Sequence, residues 1–222
     1  MIKEKVLIVG ASGHAKVCID IFEKEDKYEI VGLIDLPGKV GIRFFDYEVL
    51  GSEENIPTLF EKFGECKIFV AVGDGWLRHK IADKIKVIMP NIDFISAIHP
   101  SAIIARGVKI GRGVVIMAGV VINSDCQIGD FAILNTNSSL DHDCILNEYG
   151  SLLPNSVTGG GVQVGAFSVI SIGATVLHGV QIGDHSIIGA GAVLTKNCPD
   201  KTIMYGVPAK KIRTRIIGEK YL

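Results

Sequence analysis

The sequence predicts a chain of two architectures: an α/β domain on a small parallel sheet, then a parallel solenoid of six-residue repeats. Three observations lead there. Strand and helix patterns alternate up to about residue 96, a Gly-rich turn follows the first apolar strand, and an uninterrupted six-residue period runs from Ile98 to Pro199. Alternating strands and helices imply parallel pairing. A period of six fits neither a 3.6-residue helix nor two-residue strand alternation. The expected segments are an α/β domain over residues 1–96, a solenoid over 97–200 and a short tail containing GVPAK over 201–222.

In chain order, KVLIVG reads as a buried strand, and His14 to Tyr28 as a helix with Val17 and Ile21, and Cys18 and Phe22, one turn apart. EIVGLID follows as a second strand, IPTLFEKFG as a helix and CKIFVAVG as a third strand. Leu77 to Met89 gives another helix and IDFISAI a last strand. The product is a Rossmann-like sheet that binds ligands at the carboxyl ends of its strands. Those ends carry GASGH, Asp35 and GDGWLR.

From Ile98 the chain divides into seventeen hexads without an insertion. Their first position is Ile, Leu or Val in sixteen, Thr158 being the exception, and the fifth is always Ala, Val, Cys, Ser or Gly. Each segment thus buries one large and one small residue, and three hexads close a triangular coil. The second position is Gly, Asn or Asp in ten hexads, residues that tolerate the positive φ of a corner. In this register Leu134, Leu140 and Leu146 are large inward residues, and Cys126, Ser138, Cys144, Gly150 and Cys198 small ones. His142, at the third position, points away from the core.

Lys plus Arg (23) balance Asp plus Glu (24), which leaves no basic face for nucleic acid. Small molecules or proteins are the expected partners. The N-terminal apolar run is too short for a signal peptide and the stretch Val114 to Ile122 too short to span a bilayer, so no membrane association is expected. Five cysteines without a CxxC pair read as buried thiols in a reducing cytoplasm.

GASGH (Gly10 to His14) joins a strand to a helix, where Gly permits a tight turn and free N–H groups face an anion. Ser12 stands at the middle glycine of a GxGxxG pattern, which points away from a dinucleotide. A nucleotide or sugar-nucleotide pyrophosphate fits better, with a purely structural turn as the other reading. Asp35 either accepts hydrogen bonds from a base or ribose or caps a turn. NTNSSLDHDC sets His142 between Asp141 and Asp143, which leaves a general base, a metal ligand or an ordinary surface residue open. Gly160 follows eighteen residues later, one coil away if three hexads make a coil.

GASGHAKV, a strand ending in Asp35, VAVGD with a following Arg, HPSA leading into the hexads, NTNSSLDHDC and GVPAK together resemble the sialic-acid O-acetyltransferase-like sugar acetyltransferases. The match covers nearly the whole chain and points to members that N-acetylate a 4-amino-4,6-dideoxy sugar on a nucleoside diphosphate. The resemblance implies a left-handed parallel β-helix, a handedness outside the usual right-handed crossover rule. It also implies a homotrimer with intersubunit active sites, a nucleotide-linked amino sugar on the N-terminal domain and acetyl-CoA along the β-helix. It makes His142 the catalytic base, Asp143 the acid that raises its basicity, and the Gly160 N–H the oxyanion donor. Ser12, Gly13, His14, Asp35, Gly73 and Asn135 correspond to substrate contacts, and Ser151, Gly160, Ile172 and Ala190 to cofactor contacts.

Three positions depart from that pattern. Ser151 stands where relatives use a His against CoA, Leu36 follows Asp35 where a second Asp is common, and Thr158 replaces an apolar residue beside Gly160. The second departure leaves the nucleotide open among UDP, GDP and dTDP. A zinc site from His142 and His178 of one chain would span 36 residues, two coils or roughly 9–10 Å, too far for bonds of ~2 Å, so no metal is expected. The expected activity is direct attack of the sugar amine on acetyl-CoA with His142 as base, in cytoplasmic synthesis of surface-glycan or glycoprotein-glycan precursors. A sugar O-acetyltransferase and a non-catalytic nucleotide-sugar-binding protein are the alternatives.

Overall fold

The computed structural model describes residues 3–220, so positions 1, 2, 221 and 222 of the expected outer segments lie outside the described residues. The N-terminal part runs β1 (Glu4–Val9), α1 (Gly13–Glu25), β2 (Tyr28–Ile34), β3 (Arg43–Phe44), β4 (Tyr47–Gly51), α2 (Ile56–Phe63), β5 (Cys66–Val70) and α3 (Gly75–Ile88). The sheet order is β3-β4-β2-β1-β5, parallel except for the β3–β4 hairpin. Helices cover both faces, so β1 is apolar at successive positions and not in alternation. Val6 and Ile8 pack with Cys18, Ile19 and Phe22 of α1, while Leu7 and Val9 pack with Leu59 of α2 and Ile85 of α3.

Several expectations change here. Helix α1 stops at Glu25, where Asp26 takes φ 56° and donates its N–H to Phe22 O, so Tyr28 opens β2 and does not end the helix. Ile21, Cys18 and Phe22 are buried, but Val17 is 41% exposed, because a helix laid on a sheet buries only one stripe. IDFISAI is not a last strand of this sheet. Phe94 makes one bridge to Ile68, and Ala97–Ile98 is already the first solenoid strand, paired with Val115–Ile116.

In the solenoid each strand is two residues long, at the sixth and first hexad positions, and pairs in parallel with the residue eighteen further on, as Val121 with Ser139 and Ile122 with Leu140. Three faces result: a first from Ala97–Ile98 to Ile187–Ile188, a second from Ile103–Ile104 to Val193–Leu194, and a third from Lys109–Ile110 to Gln181–Ile182. Strands Thr202–Tyr205 and Lys210–Thr214 extend the first face as an antiparallel hairpin, so the first part of the expected tail joins the sheet. The interior is filled as the repeat requires, with Leu134, Leu140, Leu146, Cys126, Ser138 and Cys144 all at 0% exposure.

Positive φ falls on the fourth hexad position and not the second. Asp125, Asn137, Asp143 and Asn155 adopt values of 56 to 61°. Second-position glycines answer a different need, the close approach of the next coil. A Cβ on Gly129 would lie 2.5 Å from Glu148 N, and one on Gly159 2.8 Å from His178 N. One fourth-position column holds Phe131, Tyr149, Phe167 and His185 at φ between 54 and 58°, conformations costly for bulky side chains. Their rings stack at 5.1, 5.0 and 4.7 Å. Trp76 and His79 of α3 close edge-on against this ladder, which seats the α/β domain on the solenoid.

Candidate active site

Residues 141–144 turn the corner from the second face to the third. Leu140 and Cys144 point inward and are fully buried, which leaves His142 and Asp143 outside with side chains 62% and 66% exposed. Asp143 sits at φ 59°, a conformation that aspartate tolerates, and its Oδ2 accepts from His142 Nδ1 at 2.7 Å. Asp141 Oδ1 accepts the His142 N–H and an Asn123 Nδ2–H, both at 2.9 Å. Thr158, the polar exception in the first-position column, accepts the Asp141 N–H on Oγ1 at 3.3 Å. With Nδ1 committed to a carboxylate, Nε2 is the nitrogen left to take a proton. The Asp143 hydrogen bond first, and the Asp141 charge second, raise the His142 pKa above its ordinary 6.5.

Gly160 lies one coil on. The Cβ it lacks would sit 2.6 Å from both Cε1 and Nε2 of His142, so the imidazole rests over its Cα. Its neighbours are tied into the stack, Gly161 N–H to His142 O at 2.8 Å and Gly159 N–H to Val176 O at 2.9 Å. Among the described residues no protein acceptor takes the Gly160 N–H. A basic nitrogen beside an uncommitted N–H donor suits acyl transfer. The thiols offer no rival nucleophile: all five are buried, and burial pushes Cys126 and Cys198 up to about 11.

A second constellation occupies the carboxyl ends of β1, β2 and β5. Gly10, at φ 116°, lets the turn pass so close to β5 that a Cβ there would meet Ala71 O at 2.7 Å. Ser12 and Gly13 are exposed at the start of α1, where helix N–H groups lack intrahelical partners. His14 faces Gly73, whose absent Cβ would lie 3.9 Å from its ring, and His14 Nε2 is sealed from solvent with no partner among the described residues. Burial first, and the Arg78 charge second, push its pKa from 6.5 to about 4, so the ring is neutral near pH 7. The Asp35 carboxylate accepts from Ala11 N (2.6 Å), Leu36 N (2.7 Å) and Lys39 Nζ (2.9 Å), bracing the Gly-rich turn. Lys39, which also donates to Ala11 O at 3.1 Å, is absent from the sequence-based set; its only signal is the i,i+4 spacing from Asp35. Asn123 is absent too, although the eighteen-residue column through Asp141 marks it.

The sequence-chosen residues do not all meet in one chain. His142 and Gly160 share the edge between the second and third faces. Asn135, Ile172 and Ala190 lie on the edge between the first and second. Ile172 is 52% exposed, Ala190 is exposed, and Asn135 is half-buried with Oδ1 accepting the Thr136 N–H at 2.8 Å. Ser151, on the first face, is 0% exposed, and its hydroxyl has no partner among the described residues, so its side chain reaches no surface a cofactor could touch in one chain. Among the described residues no three His, Cys, Asp or Glu side chains cluster as a metal site, and no helix is long and apolar enough to cross a membrane.

Residues 5–85 match the PglD N-terminal domain family, 101–124 the hexapeptide repeat of succinyl-transferase and 155–196 the bacterial transferase hexapeptide (six repeats). The fold is the left-handed parallel β-helix of hexapeptide repeats behind an α/β domain. A single-site variant of the perosamine N-acetyltransferase from Caulobacter crescentus, crystallised with CoA and GDP-perosamine, superimposes with TM-score 0.88 at 38% identity over 94% of this chain and 97% of that one. The acetyltransferase domain of PglB from Neisseria gonorrhoeae, solved with acetyl coenzyme A, gives TM-score 0.83 at 27% identity over 95% and 100%. The UDP-N-acetylbacillosamine N-acetyltransferase of Bacillus subtilis (strain 168) is 31% identical over 118 residues, 52% of this chain and 52% of that enzyme. The matches to curated relatives span about a quarter and about a half of those proteins' lengths.

Proposed function

The chain belongs to the hexapeptide-repeat sugar N-acetyltransferases with a PglD-type N-terminal domain, and on that premise we propose that it transfers acetyl from acetyl-CoA to the 4-amino group of a nucleoside-diphosphate-linked amino-dideoxy sugar. The observation that carries the reading is the His142–Asp143 pair packed against Gly160, whose N–H has no protein acceptor among the described residues. The amine nitrogen attacks the thioester carbon and a C–N bond forms. The carbonyl oxygen becomes negative and accepts the Gly160 N–H. His142 Nε2 takes the amine proton, the C–S bond breaks and CoA leaves as the thiolate, which the imidazolium can protonate. Asp143 holds the ring with Nε2 toward the reaction and stabilises the imidazolium.

The sugar nucleotide sits at the ends of β1, β2 and β5, with its pyrophosphate on the α1 N-terminus by Ser12 and Gly13, and His14, Asp35 and Gly73 about it. Asn135 belongs with the substrate contacts, and Ile172, Ala190 and Gly160 with acetyl-CoA. Because these sets occupy two edges of the solenoid, the complete site is assembled between copies in a homotrimer. The second face suits such contact: Ile103 is 62% exposed and Val121, Val157 and Val193 are half-buried. The reaction is a cytoplasmic step in making glycan precursors.

The test is an assay with UDP-, GDP- and dTDP-linked 4-amino-4,6-dideoxy sugars and acetyl-CoA, following free thiol. One of the three should turn over, and His142→Ala should reduce kcat by about 10²–10⁴-fold. Wild-type turnover in His142→Ala would remove the base from the scheme.

A further inference from the structure

Arg78, on the second turn of α3, is 1% exposed, among the most deeply buried side chains of the chain. Its guanidinium reaches backbone carbonyls on both parts of the molecule. Nη1 donates to Val72 O at 2.6 Å and Gly73 O at 2.8 Å, on the loop after β5. Nε donates to Phe131 O at 2.9 Å, and Nη2 makes a longer 3.4 Å contact to Tyr149 O, on successive corners of the solenoid. A guanidinium presents its donors in one rigid plane, so the loop cannot slide against the corners without breaking bonds on one side. The corners themselves are stiff, because the Phe131 and Tyr149 rings stack 5.1 Å apart at an interplanar angle of 0°.

Gly75 makes the same contact from the backbone. A Cβ there would lie 2.8 Å from Tyr149 O and 3.7 Å from Arg78 Nη2, so only glycine lets the α3 N-terminus press against that corner. The loop so fixed includes Gly73, which faces His14 across the mouth of the nucleotide-sugar site.

We infer that Arg78 is a positioning residue of the nucleotide-sugar site: with Gly75 it locks the Val72–Gly73 loop to the solenoid corners and so fixes how the sugar nucleotide is presented to the acetyl-transfer edge. The inference rests on the reading of Gly73 as a nucleotide-sugar contact. A residue with only a folding role would lower stability and leave the folded enzyme's substrate affinities alone.

The experiment uses the full chain and the variants Arg78→Lys and Gly75→Ala. It measures KM for the nucleotide sugar and for acetyl-CoA, and calorimetric binding of GDP, UDP and dTDP. Both folded variants should raise the nucleotide-sugar KM by about tenfold or more, since small misplacements carry large kinetic costs. Nucleoside diphosphate binding should weaken in parallel, with the acetyl-CoA KM unchanged. Unchanged nucleotide affinity, or an equal rise in both KM values, overturns the inference. If Arg78→Lys does not fold, Gly75→Ala, which leaves the guanidinium in place, decides. If neither folds, amide exchange at Gly73 and Gly75 in the wild type decides: protection matching the solenoid corners supports the lock, and fast exchange refutes it. Wild-type turnover with unaffected variants sinks this inference alone. A wild type that binds no nucleoside diphosphate and acetylates no sugar sinks the functional reading, and this inference with it.

Discussion

The Cβ that Gly160 lacks would lie 2.6 Å from the Nε2 of His142. His142 and Gly160 are thus in contact across one coil, although eighteen residues separate them. Gly160 has no positive φ, so its backbone accepts alanine and only the imidazole must give way. The exposed ring can move at little cost to the fold. Gly160→Ala should therefore fold and melt like the wild type, yet lose kcat by about 10²-fold as the base is pushed off its geometry. Wild-type kcat in that variant would show that the contact is incidental.

Asp143 gives the second prediction its sign. As the proposed base, His142 accepts a proton only when neutral, so kcat should fall as pH drops through its pKa, which the Asp143 hydrogen bond raises above 6.5. Asp143→Asn removes that cause and moves the acid limb of the kcat profile to lower pH, while the plateau falls because the ring is a weaker and less oriented base. Asp141→Asn removes the second cause and should move the limb the same way by less. An acid limb that stays in place in Asp143→Asn would mean that another group sets it.

What the residues reveal and conceal follows from where their partners come from. The first- and fifth-position columns are legible because interior room alone decides them, and this register already turns His142 outward. Glycine in the corners is ambiguous, since one letter serves two needs: positive φ at Gly173 and coil clearance at Gly129. The Phe131–Tyr149–Phe167–His185 ladder has the visible eighteen-residue spacing. Its left-handed backbone runs against side-chain preference and is held by stacking and by α3. Arg78 reads as one basic residue on a helix; its burial is invisible because two of the carbonyls it binds lie 53 and 71 residues away. The β3–β4 hairpin turns on Phe45 at φ 49° and Asp46, without the Asn-Gly signal that marks such turns.

His14 should leave a mark on stability. Its folded-state pKa is pushed down from 6.5 to about 4, so between those values the unfolded chain binds the proton and the folded chain does not. Stability therefore rises with pH across that window and is lost as pH falls from about 6.5 to 4. At most about 3 kcal/mol is at stake, from the shift in pKa. His14→Gln, which cannot titrate, should show a flatter fall in urea midpoint between pH 7 and pH 4.5 than the wild type. Parallel curves would mean that the ring is protonated in the native state.

The corner geometry yields a comparison in which one substitution is made at two glycines. Gly173, at a fourth position, has φ 65°, and among the described residues no atom lies within 4 Å of where a Cβ would stand. Asparagine already occupies the equivalent corner at Asn137 and Asn155, at φ 56 and 58°. Gly173→Asn should therefore stay within about 1 kcal/mol of the wild type. Gly129, at a second position, needs room, since its Cβ would meet Glu148 N at 2.5 Å and the next coil would have to shift. Gly129→Asn should cost about 1–3 kcal/mol or more through overpacking, read as a drop in denaturation midpoint. If positive φ governed the second position, as composition alone suggests, asparagine would be well tolerated at Gly129. The order of the two stabilities therefore decides which physical constraint selects glycine at each corner position.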